Sequence, residues 1–124
     1  MSFMEYSKKL NSSTEVIGVI GHPIRHSFSP LMHNTAFILT GLNYVYLAFD
    51  VHSTYLKAAL KSMNALGIKG FNVTVPHKEK IYQYLENVSD EASVIGAVNT
   101  IVNDGGKLFG YNTDVMGIMA TLAP

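Results

Sequence analysis

The pattern of apolar and polar positions predicts strands and helices in alternation along the first two thirds of the chain. The short apolar run Val16–Ile20 predicts a buried strand, and the β-branched and aromatic stretches Tyr44–Val51 and Lys69–Val75 predict two more. Apolar residues at helical spacing predict a helix from Ser29 to Thr40 and an amphipathic helix that runs from a Ser53 cap to Leu66. Each helix is followed by a glycine, which is typical of a left-handed helix stop.

The last third of the chain is predicted to be more irregular. A helical stretch runs from His77 to Leu85, and Asp90–Ile95 predicts a weaker helix. Val98–Asn103 and Leu108–Asn112 predict two strands that flank Asp104-Gly-Gly-Lys107, a favourable hairpin turn. Ser29 before Pro30 is expected to cap the first helix, and Thr113 or Asp114 is expected to cap a last helix that continues toward Pro124.

This order of elements predicts the fold class. Strands that alternate with helices need crossover connections, so the sheet is expected to be mostly parallel. The predicted fold is therefore a three-layer α/β/α domain with one antiparallel strand from the C-terminal hairpin. We assign residues 1–15 to a polar leader and residues 16–112 to the domain. In such sheets, ligands bind outside the carboxyl ends of the strands.

Composition narrows the classes of function. The 124 residues carry a net charge of +0, and neither a basic patch for nucleic acid nor a long apolar span for a membrane is visible. There is no cysteine, which excludes disulfides and thiol catalysis and fits a cytoplasmic protein. The five histidines lack metal-ligand spacing, so no metal is expected. No G-x-G-x-x-G occurs, so the chain offers no dinucleotide fingerprint.

Two polar clusters follow predicted strands. Ser27 and Ser29 lie in the segment that joins the first strand to a helix start, where hydroxyls and free amides suit an anion or a polyol. The alternative is an ordinary capping loop. Asn72 and Thr74 share one face of the third strand, and Lys78 follows Pro76 at its end. The alternative here is a set of polar edge-strand residues followed by a solvated lysine.

A third cluster brackets the hairpin. Asn99 and Asn112 are either ligand contacts or turn residues, and Asp114 either acts in a site or complements the start of the last helix. A functional interpretation pairs Asp114 with Lys78, because an amine beside a carboxylate can give and take a proton. The two residues are 36 positions apart, and the sequence alone does not show that they meet.

Four segments together resemble the N-terminal domain of the shikimate dehydrogenase family. They are G-H-P-I-R-H-S-F-S-P-L-M-H-N from position 21, G-F-N-V-T-V-P-H-K from 70, G-A-V-N-T from 96 and G-Y-N-T-D from 110. The resemblance implies that Ser27 and Ser29 hold the carboxylate of shikimate or 3-dehydroshikimate. It implies ring-hydroxyl contacts and a catalytic pair of Lys78 and Asp114. The residues implied for the ring hydroxyls are Asn72, Thr74, Asn99 and Asp114.

The resemblance also implies an activity and a cofactor. The implied activity is that of an NADP-dependent oxidoreductase of the shikimate pathway, which serves aromatic amino-acid biosynthesis. Asp90 matches an acidic residue near the cofactor in the family. NADP would be bound mainly by a further domain, to which residues 113–124 would begin the linker helix. We expect the chain alone to be inactive, and a homodimer is conceivable. The alternatives are a quinate/shikimate dehydrogenase and a non-catalytic module that binds a polyhydroxy acid.

Overall fold

A computed structural model describes residues 10–114 of the chain. The strands are Glu15–Gly21 (β1), Tyr44–Asp50 (β2), Gly70–Val73 (β3), Asn87–Val88 (β4), Thr100–Asp104 (β5) and Lys107–Tyr111 (β6). The helices are Ser29–Thr40 (α1), Leu56–Leu66 (α2), Lys78–Tyr82 (α3) and Asp90–Ile95 (α4), and a short 3₁₀ helix, Ser53–Tyr55, precedes α2. The expected apolar surface of a last helix, at Val115, Met116, Ile118, Met119 and Leu122, lies outside the described residues.

The described strands form one sheet in the order β2-β1-β3-β5-β6-β4. The pairs β2/β1, β1/β3 and β4/β6 are parallel, whereas β5 is antiparallel to both of its neighbours. The mostly parallel sheet with one reversed strand is therefore confirmed. The hairpin turn between β5 and β6 is confirmed as well, because Gly105 and Gly106 both adopt positive φ values of 59° and 98°.

Helices pack on both faces of the sheet, as the three-layer prediction requires. We call one side the closed face: α2, α3 and α4 cover it and form the main core with the inward residues of the sheet. We call the other side the open face: α1 packs there against β1 and β2, with Phe37 against Val19 and Tyr46. Farther along the open face, Val102 of β5 and Tyr111 of β6 remain 41% and 38% exposed.

Two predicted helix caps are wrong. Ser29 is the first residue of α1 rather than its cap. The cap is Phe28, which makes no side-chain hydrogen bond, and Ser27 Oγ accepts instead from the Ser29 amide at 3.2 Å. Ser53 opens the 3₁₀ helix, and the side chain of His52 accepts from the Thr54 amide in its place. Both differences arise because Ser, His and Asn side chains compete for the same few free amides at a helix start.

Other boundaries differ by a few residues. β3 ends at Val73 because Thr74 begins the turn into α3, and the Thr74 carbonyl accepts from the His77 amide at 3.0 Å. The two-residue strand β4 was not predicted, since Asn87 and Val88 carry too short a pattern to be recognised. Among the described helices, none is long and apolar enough to cross a membrane.

Candidate functional site

The predicted site residues gather at one edge of the sheet. β1, β2, β3 and β6 end at this edge, and β5 begins there, because Asn72 of β3 is paired with Thr100, the first residue of β5. Thr100 is paired in turn with Tyr111, the last residue of β6. The topology therefore brings the segments after β1, after β3 and on both sides of the hairpin to the same end of the molecule.

The segment after β1 presents the two serines. Ser27 and Ser29 are both half-buried, and the Ser29 amide donates to Ser27 Oγ. This contact orients the two serines relative to each other at the start of α1. The backbone turn is closed by the Ser27 amide, which donates to the Ile24 carbonyl at 3.0 Å. Two adjacent hydroxyls beside a helix N-terminus suit an anionic group.

Asn72 is held by Tyr46 of β2, a residue that carries no distinct signal in the sequence. Tyr46 is 1% exposed, and its hydroxyl donates to Asn72 Oδ1 at 2.7 Å. Burial raises the pKa of Tyr46 to about 12, and the nearby side chain of Ser29 offsets part of this rise. The phenol therefore orients one of the predicted substrate residues from a different strand.

Two residues of α1 hold Tyr46 in place. Asn34 Oδ1 accepts from the Tyr46 amide at 2.8 Å, and Asn34 Nδ2 donates to the Tyr46 carbonyl at 2.8 Å. The ring of His33 is stacked on the Tyr46 ring, with a centroid distance of 4.1 Å and an interplanar angle of 9°. In the sequence, an aromatic residue in a strand carried no signal beyond ordinary strand preference, so these partners could not be recognised.

Lys78 and Asp114 meet, as the functional interpretation required. Lys78 Nζ donates to Asp114 Oδ2 at 3.1 Å, with the two side chains 36% and 60% exposed. Lys78 is the first residue of α3, and its carbonyl accepts from the Val98 amide at 2.9 Å. The backbone of Lys78 is thus held in place, while its amine remains accessible to solvent. A group that exchanges protons with a ligand needs this access.

His77, the residue before Lys78, anchors the turn between β3 and α3. His77 is fully buried, and its Nε2 bonds with the Val51 carbonyl at the end of β2. His77 Nδ1 is buried and has no hydrogen-bond partner among the described residues. The ring therefore ties the turn between β3 and α3 to the segment that follows the edge strand β2, and limits how far the backbone of Lys78 can move.

Asn99 and Asn112 do not act as simple turn residues, because their side chains bind Thr113 and Asp114, respectively. Asn99 Nδ2 donates to Thr113 Oγ1 at 2.9 Å, and Asn99 Oδ1 accepts from the Thr113 amide at 3.0 Å. Asn112 Oδ1 accepts from the Asp114 amide at 3.1 Å, which is the bond of a helix cap. The predicted caps Thr113 and Asp114 thus give way to Asn112, because both already have helical backbone.

Thr74 lies against the end of β1. Its amide donates to the Ile20 carbonyl at 3.0 Å, and its hydroxyl makes no hydrogen bond to the described residues. The contact is close: a Cβ at Gly21 would lie only 2.6 Å from Thr74 Cγ2. Gly21 therefore lets the segments after β1 and β3 approach each other, which brings Thr74 toward the two serines.

Asp90 is the one predicted residue that stands apart. It is exposed in the first turn of α4, where it complements the helix N-terminus, and it forms no ion pair with the described site residues. Among residues 10–114, no group of three histidine or acidic side chains is placed to hold a metal ion. The remaining site residues are close to one another. Lys78 bonds with Asp114, and Tyr46 bonds with Asn72 and lies near Ser29. Asn72 is paired across the strands with Thr100, the residue after Asn99.

Fold and site together define an α/β domain that carries a cluster of polar side chains and a lysine–carboxylate pair at the carboxyl end of its sheet. A family model described as the shikimate dehydrogenase substrate-binding domain matches residues 19–101. The chain belongs to this family.

Known relatives agree with the family model. A shikimate dehydrogenase (NADP(+)) of Caldanaerobacter subterraneus subsp. tengcongensis is 56% identical over 114 residues, which are 92% of this chain and 41% of the relative. The enzyme of the same name from Methanocaldococcus jannaschii is 56% identical over 113 residues, which are 91% of this chain and 40% of the relative. The chain thus spans about 40% of the length of these curated relatives.

A solved structure shows the same fold. The shikimate 5-dehydrogenase of Listeria monocytogenes, crystallised in complex with shikimate and NAD, superposes with a TM-score of 0.85 at 49% identity. The match covers 91% of this chain and 39% of that one. It confirms the predicted fold class and the resemblance on which the family assignment rests.

Proposed function

We propose that the chain is the substrate-binding and acid/base part of an NADP-dependent shikimate dehydrogenase, which reduces 3-dehydroshikimate to shikimate. The observation that carries the proposal is the 3.1 Å contact between Lys78 Nζ and Asp114 Oδ2. It lies at the carboxyl end of a mostly parallel sheet, where such folds bind ligands. The names of the relatives support the substrate and the cofactor.

The pair supplies the proton of the reaction. Reduction of the ring carbonyl would place negative charge on the carbonyl oxygen, which must take up a proton. Lys78 Nζ donates that proton to the oxygen, and the Asp114 carboxylate stabilises the ammonium before transfer and orients it. Because both side chains are partly exposed, the amine regains its proton from solvent.

The other site residues hold the substrate. Ser27 and Ser29 bind the carboxylate at the start of α1, and Asn72, Thr74 and Asn99 bind ring hydroxyls together with Asp114. The free hydroxyl of Thr74 and the unpaired Nδ2 of Asn72 support this assignment, because neither has a hydrogen-bond partner among residues 10–114. Polar groups of this kind give orientation and specificity in a ligand site.

The described residues do not fit a dinucleotide. The turn after β1 is where an α/β fold would cradle a pyrophosphate, but Gly21 is already packed against Thr74 and Ile24. The cofactor, which supplies hydride when bound, is therefore assigned to a further domain, with residues 113–124 beginning the helix that leads to it. Asp90 remains a proposed neighbour of the cofactor.

An NMR titration of the 124-residue chain with shikimate tests the proposal. Amide signals of Ser29, Asn72 and Asn99 should shift in a saturable way. The control variant Asn64→Ala, on the exposed side of α2, should bind equally well, whereas Asn72→Ala should bind more weakly. Titration with quinate separates the quinate/shikimate alternative. No shift at millimolar shikimate would contradict the proposal.

We further predict that the chain alone does not oxidise shikimate with NADP. Holding the two reactants together is worth roughly 7–11 kcal/mol of barrier, and the described residues offer no cradle for the cofactor. The measurement is NADPH formation at saturating shikimate, with a two-domain shikimate dehydrogenase as positive control. Turnover that survives removal of host enzymes would show that the chain needs no further domain.

A further inference from the structure

Tyr46 is held in place through both its backbone and its ring. Its backbone is clamped by the side chain of Asn34 on one side and paired with Ile17 of β1 on the other. Its ring is stacked on His33, whose Nδ1 in turn bonds with the Ser29 carbonyl at 2.9 Å. The position of the hydroxyl is therefore set by the fold before any ligand arrives.

We propose that Tyr46 is a positioning residue, whose hydroxyl fixes the side chain of Asn72 in the orientation that binds substrate. The inference rests on the proposed function, because it concerns the same site. Tyr46 itself does not need to touch the ligand. Its 2.7 Å bond to Asn72 Oδ1 transmits its rigidity to a group that does.

The hydrogen-bonding capacity of a phenol decides the orientation of Asn72. A phenol carries a single proton, and the carboxamide oxygen of Asn72 accepts it. Because Asn72 Oδ1 faces the phenol, the carboxamide turns its Nδ2 away from Tyr46. Asn72 consequently offers donors to a ligand, and the ligand oxygen that faces it must act as an acceptor. Because burial raises the pKa of Tyr46, the phenol keeps its proton throughout the neutral range.

Preorganisation of this kind affects binding more than stability. A carboxamide held in one orientation loses no rotational freedom when the ligand binds, whereas a free one does. The phenol also supplies a partner for Asn72 in the absence of ligand, so that the carboxamide does not need to rearrange. Removal of the hydroxyl should therefore weaken ligand affinity because Asn72 loses its fixed orientation, and not because the sheet is destabilised.

The test compares Tyr46→Phe with Tyr44→Phe. Tyr44 lies two residues earlier on the same face of β2, and its hydroxyl bonds with none of the described residues. Tyr46→Phe keeps the ring that stacks on His33. We expect it to weaken shikimate binding to the chain about 3- to 10-fold, in keeping with the loss of one net hydrogen bond, and we expect Tyr44→Phe to leave it unchanged.

A double-mutant cycle separates positioning from a merely structural role. If Tyr46 acts through Asn72, Tyr46→Phe should change the affinity little in an Asn72→Ala background. Equal losses in the two backgrounds would overturn the inference. Weaker binding by Tyr44→Phe to the same extent would also overturn it, because the loss would then be a general response of β2.

A ligand-free measurement keeps this inference distinct from the proposed function. In the wild-type chain, the side-chain NH₂ signals of Asn72 should show restricted motion by NMR relaxation, and in Tyr46→Phe they should show fast averaging. Unchanged relaxation would overturn the positioning role even if shikimate binds. Absence of shikimate binding by the wild type would instead contradict the proposed function, while a change in relaxation would still support the role of Tyr46.

Discussion

The two faces of the sheet are formed by the same strands but differ in the partners of their buried side chains. On the closed face, side chains such as Leu56, Met63, Ile81 and Ile101 are fully buried and make an apolar core. On the open face, the buried residue Tyr46 packs against apolar neighbours, but every one of its hydrogen-bonding groups is paired with a polar partner. Because alternation along each strand sends neighbouring residues to opposite faces, adjacent strand residues contribute to the main apolar core and to the proposed ligand site.

The difference shows where a substitution should act. Apolar burial on the closed face stabilises the whole domain, and it does so without specifying any ligand. The polar network on the open face and at the adjoining edge stabilises little, because each of its hydrogen bonds replaces one to water. In the proposed function, however, this network fixes the orientations of the groups that contact the ligand. The largest functional effects should therefore come from the edge, and the largest effects on folding from the closed face.

The greatest expected effect is a loss of turnover when the amine of Lys78 is removed. In a two-domain protein that contains this chain, Lys78→Ala should lower kcat about 10²- to 10⁴-fold, which is the usual contribution of general acid–base catalysis. KM for shikimate should change far less, because Ser27, Ser29 and Asn72 are untouched. Steady-state kinetics of Lys78→Ala and Asp114→Asn, singly and together, provides the measurement.

The double variant sharpens the test. Since the two groups are in contact, they should act as one unit, and the double variant should be little worse than the worse single variant. A Lys78→Ala protein with normal kcat and a raised KM would make Lys78 a binding residue only. Lys80→Ala, two residues along in α3, provides the control for a general loss of positive charge.

The next effect is on stability and belongs to the closed face. Leu56→Ala should reduce the free energy of unfolding by about 2–5 kcal/mol, because it opens a cavity in a core where Leu56 is fully buried. Leu66→Ala in the same helix should cost little, since Leu66 is 73% exposed. Urea denaturation measures both. If Leu56→Ala weakened shikimate binding in the folded protein as strongly as Asn72→Ala, the separation of the two faces would be refuted.

The smallest expected effect is a pH dependence that belongs to the open face. Burial raises the pKa of Tyr46 to about 12, whereas an unfolded tyrosine ionises near its ordinary value of about 10. Above that value the unfolded chain loses the proton first. The contribution of Tyr46 to stability is therefore complete below about pH 10 and falls toward pH 12, by at most about 1.4 kcal/mol per pH unit.

Denaturation of the wild type and of Tyr46→Phe at several alkaline pH values isolates this contribution. The difference between the two in free energy of unfolding should shrink as the pH rises from 10 to 12. Lysines and the other tyrosines titrate in both proteins and cancel in the difference. A constant difference over this range would mean that Tyr46 ionises as readily in the folded protein as in the unfolded one.

Local signals in the sequence determined most of the architecture. Apolar runs and helical spacing located three strands, two long helices and the hairpin, because burial on one face imposes a period on the residues themselves. Gly41, Gly67 and Gly96 end their helices with positive φ, and the Gly-Gly turn set the register of β5 and β6. The motifs around Ser29, Asn72, Asn99 and Asp114 indicated the family for the same reason: they are contiguous in the chain.

Tertiary structure alone decided which of these residues meet. β5 runs antiparallel between β3 and β6, and this arrangement brings Lys78, after β3, to Asp114, after β6. No local pattern encodes a contact across 36 positions. Tyr46 in the sequence is one aromatic strand residue among several, and only the packing of α1 on β2 gives it Asn34 and His33 as partners. Sequence periodicity reports which side chains are buried, whereas the partner of a buried polar group depends on the three-dimensional arrangement of distant segments.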